Sequence, residues 1–109
     1  MPKEKTNLAQ YKITAVIPAY KVEKQIAEAL ARIPDYIWQI IVVDDASLDR
    51  TGEIVEQAKA KDSRIMLIKH AKNQGVGGAM LSGFKEALKI GSQVILKVDG
   101  DGQMSGYDP

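Results

Sequence analysis

The fold is indicated most clearly by residues 94–103, which read Val-Ile-Leu-Lys-Val-Asp-Gly-Asp-Gly-Gln. The apolar, β-branched residues 94–98 predict a buried strand. Two carboxylates follow it, Asp99 and Asp101, and side chains at i and i+2 of an extended segment point the same way. The stretch therefore predicts a site for Mg²⁺ or Mn²⁺, with Gln103 as a further oxygen ligand. A glycine-rich acidic turn without a metal is the alternative.

Three earlier apolar runs alternate with helical patterns in the same way. Strands are predicted at 13–17, 38–43, 65–68 and 94–98, and helices at 23–33, from about 49 to 61, and at 76–90. Pro18 is expected to stop the first strand, and Met80, Leu81, Phe84, Ala87 and Leu88 are expected to form one face of the third helix. Short strand–helix links favour parallel strands with right-handed crossovers. The predicted fold is α/β, a Rossmann-like three-layer sandwich with a mostly parallel four-stranded sheet in the order 3-2-1-4.

The composition excludes several classes of function. The chain has 109 residues, a net charge of +1, no cysteine and a single histidine, His70. Disulfides, thiolate catalysis, cysteine-ligated zinc and multi-histidine metal sites are thereby excluded, and no basic surface favours nucleic acid. No apolar stretch approaches the roughly 20 residues of a membrane span. Residues 1–12 are polar and are expected to be a flexible segment of a cytoplasmic protein.

Polar residues follow each predicted strand, and parallel strands bring such ends to one edge, where ligands of open α/β sheets bind. Asp44 and Asp45 could bind base or ribose groups or cap the next helix; Asp45 is favoured as the ligand contact, and Ser47 or Asp49 as the cap. Tyr20, after Pro18 and Ala19, either lies against a planar base or belongs to the core. Glu23 either caps the first helix or reaches the base.

The glycine-rich segment 73–79 lies before the third helix and could approach a phosphate or sugar through free N–H groups. It is neither a dinucleotide fingerprint nor a Walker loop, because Met80 stands at the required third glycine and no Gly-Lys-Ser/Thr follows. Its small residues alternatively let the helix pack tightly on the sheet. His70 is expected to be structural or exposed rather than catalytic. Lys72 and Lys97 are either solvated or close to phosphate.

In order and spacing, these segments resemble the N-terminal half of a family 2 glycosyltransferase of the GT-A type. The resemblance rests on residues 16–20 with Glu23, 41–51, 73–79 and 98–103. The Asp-Gly-Asp-Gly-Gln form of the last motif resembles the dolichol-phosphate mannosyltransferase-like and polyprenyl-phosphate glycosyltransferase branch. Two positions depart from the family pattern, since Lys21 replaces a frequent Asn and Ala46 a usual Gly.

The resemblance implies a nucleoside pocket and a metal site. Pro18, Ala19, Tyr20, Glu23 and Asp45 would line the pocket, and Asp99, Asp101 and Gln103 would hold the metal and the diphosphate. The implied reaction is inverting transfer of a sugar from a UDP- or GDP-sugar to an acceptor such as a lipid phosphate, in a parent protein at the cytoplasmic face of a membrane.

The family's general base lies in its second half, which residues 13–109 do not reach. The chain is therefore expected to be an inactive, truncated donor-binding part whose exposed sheet promotes self-association. Two alternatives remain open. A receiver-like signalling domain would need an aspartate at the end of the third strand, where the sequence offers none. A non-catalytic nucleotide-binding module is the other.

Overall fold

The computed structural model describes residues 8–100, and within them strands and helices alternate in the predicted order. Leu8–Gln10 form a 3-10 turn, and the elements that follow are β1 Ile13–Ala19, α1 Ile26–Ala31, β2 Gln39–Asp44, α2 Thr51–Lys59, β3 Ile65–Lys69, α3 Gly75–Lys89 and β4 Val94–Lys97. The strands are parallel and lie in the order β3-β2-β1-β4. The predicted α/β class and strand order are confirmed.

The sheet buries side chains on both faces, as expected of parallel strands covered by helices. Ile17 and Val42 point towards α1 and α2, where they pack with Ile26, Leu30 and Val55. Val16 and Val43 point to the opposite face, which α3 covers. Because residues alternate between the two faces, the consecutive Asp44 and Asp45 at the end of β2 are directed to opposite sides of the sheet.

The first strand continues through Pro18 to Ala19, and the prediction that it stops at the proline was wrong. β4 pairs with β1 only as far as Val16, whose carbonyl accepts the N–H of Val98. The backbone polar groups of Pro18 face the same side as those of Val16, where the paired part of β4 has already ended. The proline therefore removes no N–H that the ladder uses.

The apolar face predicted for α3 was wrong in part. Ala87 is buried and Met80 packs partly buried against the same cluster, as expected, but the other fully buried residues of the helix are the small Ala79 and Gly83. A β-carbon at Gly83 would lie 2.3 Å from Val16 Cγ1, so α3 approaches the sheet more closely than a side chain there allows. Leu81, Phe84 and Leu88 are instead 54, 44 and 57% exposed. Small residues, rather than the largest ones, determine which face of α3 is buried.

The helices start later or end earlier than predicted. α1 begins at Ile26 rather than Glu23, because the Val22 carbonyl accepts the N–H groups of both Gln25 and Ile26 in a turn. α2 ends at Lys59 rather than Lys61. None of the helices within residues 8–100 is long and apolar enough to span a membrane.

The described part of the N-terminal segment is tied to the start of β4. Lys12 N–H donates to Gln93 Oε1 at 2.8 Å, and Gln93 N–H donates to the Lys12 carbonyl at 2.8 Å. These bonds lie at the amino edge of the sheet, opposite the edge where the strands end.

Candidate functional site

A pocket of about 420 Å³ opens at the carboxyl edge of the sheet, where the sequence predicts that polar residues meet. One wall comes from the end of β1 and the residues after it, and the other from the start of α3. It is lined by Pro18, Ala19, Tyr20, Val22, Asp45, Asn73, Gly75, Val76 and Ala79. Four of the five residues predicted to bind a nucleoside thus lie around one pocket. Tyr20 is 45% exposed, so its ring is not part of the core.

Asp45 holds the two walls together. Its Oδ1 accepts the N–H of Gln74 at 2.8 Å, and its Oδ2 accepts the N–H of Gly75 at 2.7 Å. Its carbonyl accepts a hydrogen bond from Asn73 Nδ2 at 3.3 Å. Burial alone would raise the pKa of Asp45, but the hydrogen bonds from His70, Gln74 and Gly75 outweigh burial and hold its pKa below the usual value. Asp45 is therefore an oriented, buried anion in the pocket.

His70 contacts Asp45, and the sequence does not predict this contact. Its Nδ1 lies 2.7 Å from Asp45 Oδ1 and its Nε2 lies 2.7 Å from Ser82 Oγ of α3. Its backbone N–H donates to the Asp44 carbonyl at 2.9 Å. The imidazole thus connects the ends of β2 and β3 to α3. Nothing in the spacing of residues 45, 70 and 82 indicates this contact, because it depends on strand pairing between β2 and β3.

Glu23 points away from the pocket lining and towards the start of α2. Its Oε1 accepts the N–H of Arg50 at 2.9 Å. Three further bonds join the same loop to α2 and the residues before it. Lys21 N–H donates to Ser47 Oγ and Val22 N–H donates to Thr51 Oγ1, each at 3.0 Å, and Glu23 N–H donates to Asp49 Oδ2 at 3.4 Å. The segment after β1 is therefore fixed to the start of α2, and Glu23 supports the pocket wall from behind.

Carboxylates surround the start of α2. Asp49 Oδ1 accepts the Thr51 N–H at 2.9 Å and the Thr51 hydroxyl at 2.6 Å. Burial would raise the pKa of Asp49, but these bonds outweigh it and lower the pKa. Asp44 Oδ1 accepts the Ser47 N–H at 3.0 Å. Neither of the two residues expected to cap the helix is its N-cap, which is Arg50: Asp49 precedes it and accepts the Thr51 N–H, and Ser47 binds the segment after β1.

Two residues at this edge have left-handed backbones. Lys21 has φ of 55° and Ala46 has φ of 65°, a region that favours glycine or asparagine. They follow β1 and β2, respectively, and they are the two positions at which the sequence departs from the family pattern. The residues usual in the family fit this backbone better than the residues present.

The described part of the acidic motif follows β4, beside the pocket. Asp99 has a side chain that is 37% exposed, with its Oδ1 3.8 Å from Lys97 Nζ. Gly100 is buried, and a β-carbon there would lie 3.3 Å from Val22 Cγ1 and 3.6 Å from the Pro18 carbonyl oxygen. Asp101 and Gln103 lie outside the described residues. Within residues 8–100, no three acidic or histidine side chains cluster closely enough to hold a metal ion.

A second cleft, of about 290 Å³, lies between α1 and α2 and reaches the start of β3 at the opposite edge of the sheet. Its lining is mainly apolar, with Leu30, Ile54 and Ile65. It contains none of the polar residues that follow the strands. The carboxyl-edge pocket, with its buried anion and exposed aromatic ring, is therefore the better candidate for a binding site.

Comparison with known proteins finds similar sequences and structures over most of this chain. A UDP-N-acetylglucosamine--dolichyl-phosphate N-acetylglucosaminyltransferase of Methanococcus voltae is 32% identical over 93% of this chain and 45% of its own length. The structure of S. aureus TarS 1-349 in complex with UDP is 29% identical, covers 83% of this chain and 27% of that chain, and gives a TM-score of 0.69.

The mannosyltransferase PcManGT of Pyrobaculum calidifontis, solved with GDP-Man and Mn²⁺, has the same fold. Its TM-score is 0.71 at 22% identity, over 93% of this chain and 31% of that chain. The present chain spans less than half the length of the curated relative described above. The model of glycosyl transferase family 2 matches residues 14–107, almost the whole sequence. The chain belongs to glycosyl transferase family 2.

Proposed function

We propose that the carboxyl-edge pocket binds the nucleoside of a UDP- or GDP-sugar. The observation that carries this proposal is the placement of a buried, ionised Asp45 and a half-exposed Tyr20 around one pocket. An aromatic ring offers a stacking surface for a planar base, and a carboxylate accepts the N–H groups of uracil or guanine. The resemblance to a UDP-bound structure at 29% identity supports the same assignment.

Glu23 has an indirect part in this proposal. Its carboxylate binds the Arg50 N–H rather than lining the pocket. We assign it the role of holding the segment after β1, which carries Tyr20, against the start of α2. Pro18 and Ala19 form the adjoining wall.

We propose that Asp99, Asp101 and Gln103 hold Mg²⁺ or Mn²⁺ beside the pocket. The described residues fit this in part: Asp99 is a solvent-accessible carboxylate next to the pocket wall, and oxygen ligands suit hard cations. Lys97 Nζ lies 3.8 Å from Asp99 Oδ1, so the negative charge of Asp99 would face both this ammonium group and the cation. When bound, the metal would neutralise the diphosphate and stabilise it as a leaving group. The protein side chains orient the nucleotide so that its phosphates reach this place.

For the whole protein, we propose inverting transfer of the sugar to an acceptor such as a polyprenyl phosphate, at the cytoplasmic face of a membrane. The support is the relative named for a dolichyl-phosphate acceptor. The 109 residues would supply the donor side of the reaction and no turnover by themselves. A receiver-like function has no comparable support, because β3 ends at Lys69 rather than at an aspartate.

Calorimetric titration of the 109-residue chain with UDP and GDP tests the donor site and the metal separately. We expect binding with Mn²⁺ that weakens at least about tenfold with a chelator or in Asp101→Ala. Asp35→Ala is the matched control, because it removes an exposed aspartate between α1 and β2, at the opposite edge. Failure of both nucleotides to bind would refute the donor site. Binding that ignores chelator and Asp101→Ala would refute the metal site alone.

We further propose that the chain self-associates through the exposed strip Leu81, Phe84 and Leu88 of α3. These side chains recur at i, i+3 and i+7 and are about half exposed. Large exposed apolar patches favour association. Light scattering over a concentration series should show a rising mass that Phe84→Glu reverses, with exposed Lys85→Glu as the control. A constant monomer mass at high concentration would contradict this proposal.

A further inference from the structure

His70 is a buried side chain beside the pocket that the proposed function leaves without a role. Its side chain is 7% exposed and that of its partner Asp45 is 4% exposed. His70 is not among the residues that line the pocket, whereas its partner Asp45 is. Of the two side chains that hold its ring nitrogens, Asp45 and Ser82, only Asp45 lines the pocket, so an effect on a ligand is expected to pass through this carboxylate.

The hydrogen bonds to Asp45 are divided unequally between its oxygens. Oδ1 receives two donors, His70 Nδ1 and the Gln74 N–H, whereas Oδ2 receives the Gly75 N–H. An ionised carboxylate only accepts, so His70 Nδ1 carries the proton that it donates. Each oxygen has about two lone-pair sites. Oδ1 is therefore fully used, and Oδ2 retains acceptor capacity.

Ser82 fixes the other end of the imidazole. Its Oγ lies 2.7 Å from His70 Nε2, and Ser82 belongs to α3, the helix whose start forms one pocket wall. His70 is thus held at both nitrogens, and its ring plane fixes the direction of the Asp45 carboxylate. Without this contact the carboxylate keeps only the bonds from the Gln74 and Gly75 N–H groups, and Oδ1 regains an unused acceptor site.

We propose that His70 is a positioning residue that sets the base preference of the pocket by fixing the direction of the free acceptor site of Asp45. This inference rests on the proposed nucleotide pocket and adds a determinant of its specificity. Uracil N3 and guanine N1 each carry a hydrogen that this site can accept. Cytosine N3 and adenine N1 are acceptors at the corresponding positions, and a fixed anion repels them. A carboxylate held only by its two backbone donors is less firmly directed and offers an unused site on each oxygen, so it discriminates less well.

Four nucleoside diphosphates measure this preference in calorimetric titrations with Mn²⁺: UDP against CDP, and GDP against ADP. In at least one of these pairs, the wild type should bind the nucleotide with the ring N–H, UDP or GDP, at least about tenfold more tightly than CDP or ADP. This ratio is the usual scale of a hydrogen bond to a charged group. His70→Ala should reduce this ratio to about two or less. Thr14→Val is the control, since it removes a buried hydroxyl contact to Ser92 Oγ and should leave the ratio unchanged.

A pair of amide variants separates positioning from folding. In His70→Asn, the short amide can donate from the position of Nδ1 to Asp45, so the ratio should survive. In His70→Gln, the longer amide can reach Ser82 but places no donor at Nδ1, so the ratio should fall as in His70→Ala. This pair decides the question even where His70→Ala does not fold, because each variant retains one polar contact.

Each outcome bears on a different claim. A wild type that binds none of the four nucleotides overturns the proposed function, and the inference with it. A wild type that binds but does not discriminate overturns the role of His70. A wild type that discriminates, together with a His70→Gln variant that discriminates equally well, overturns the role of His70 and leaves the nucleotide pocket standing.

Discussion

The starts of α2 and α3 lie at the same edge of the sheet but are satisfied in different ways. At α2, carboxylates from two nearby segments bind the N–H groups, Glu23 at Arg50 and Asp49 at Thr51. At α3, one carboxylate from another strand, Asp45, binds the N–H groups of Gln74 and Gly75. The start of α2 is therefore covered by the carboxylates that bind it, whereas the start of α3 lies beside the open pocket.

The comparison distinguishes carboxylates that only bind backbone N–H groups from Asp45, which binds such groups and also lines the pocket. Asp44 and Asp45 are adjacent and both buried, yet Asp44 points to the α2 side and binds the Ser47 N–H. Asp45 points to the α3 side, where it holds the glycine-rich segment and also lines the pocket. Proximity in sequence therefore says little about which carboxylate can meet a ligand.

The strongest test of this comparison replaces each helix-start carboxylate with its amide. Asp45→Asn should lower the free energy of unfolding by about 3 kcal/mol, because an NH₂ group would face an N–H donor inside a buried cluster. It should also abolish UDP or GDP binding. Asp49→Asn should cost about 1 kcal/mol, because the amide oxygen can still accept the Thr51 N–H, and should leave binding unchanged. Urea unfolding and calorimetry measure the two effects. Equal losses in both variants would contradict the distinction.

A second test moves α3 away from the sheet. Gly83→Ala should destabilise the protein by about 2 kcal/mol, since the new β-carbon would lie 2.3 Å from Val16 Cγ1 and outweigh the gain in helix propensity. The β-carbon of Gly77→Ala in the same helix would meet nothing within 4 Å, so this variant should raise the free energy of unfolding by about 0.8 kcal/mol. Thermal unfolding of both variants gives the comparison. A stable Gly83→Ala variant would show that α3 can shift outwards freely.

The predictable part of the fold was the part set by local pattern. Apolar runs and their links gave the strands and their order, whereas the N-cap of α2 is Arg50 rather than the predicted Ser47 or Asp49. The buried face of α3 was mispredicted, because Ala79 and Gly83 contribute little hydrophobicity and their value lies in the close approach that they permit. The contact between His70 and Asp45 depends on the register of β2 against β3, which no local pattern encodes.

The smallest expected effect concerns the loops that follow β1 and β2. Ala46→Gly should raise the free energy of unfolding by about 0.5 kcal/mol, because relief of the positive φ exceeds the entropic cost of glycine. Ala60→Gly is the control: Ala60 is exposed with φ of −66°, so glycine there should destabilise. Chemical unfolding at several temperatures resolves the signs. A loss of stability in Ala46→Gly would show that the alanine methyl group makes contacts worth more than the strain.

Gly100 lies where the acidic motif meets the pocket wall. A β-carbon at this residue of the acidic motif would lie 3.3 Å from Val22 Cγ1 and 3.6 Å from the Pro18 carbonyl oxygen, both belonging to the segment that carries Tyr20. Any residue other than glycine at this position would therefore press on the backbone that leads to the exposed aromatic ring. Glycine lets the end of the described chain and the pocket wall lie against each other with no side chain between them, so their spacing depends on the absence of a single β-carbon.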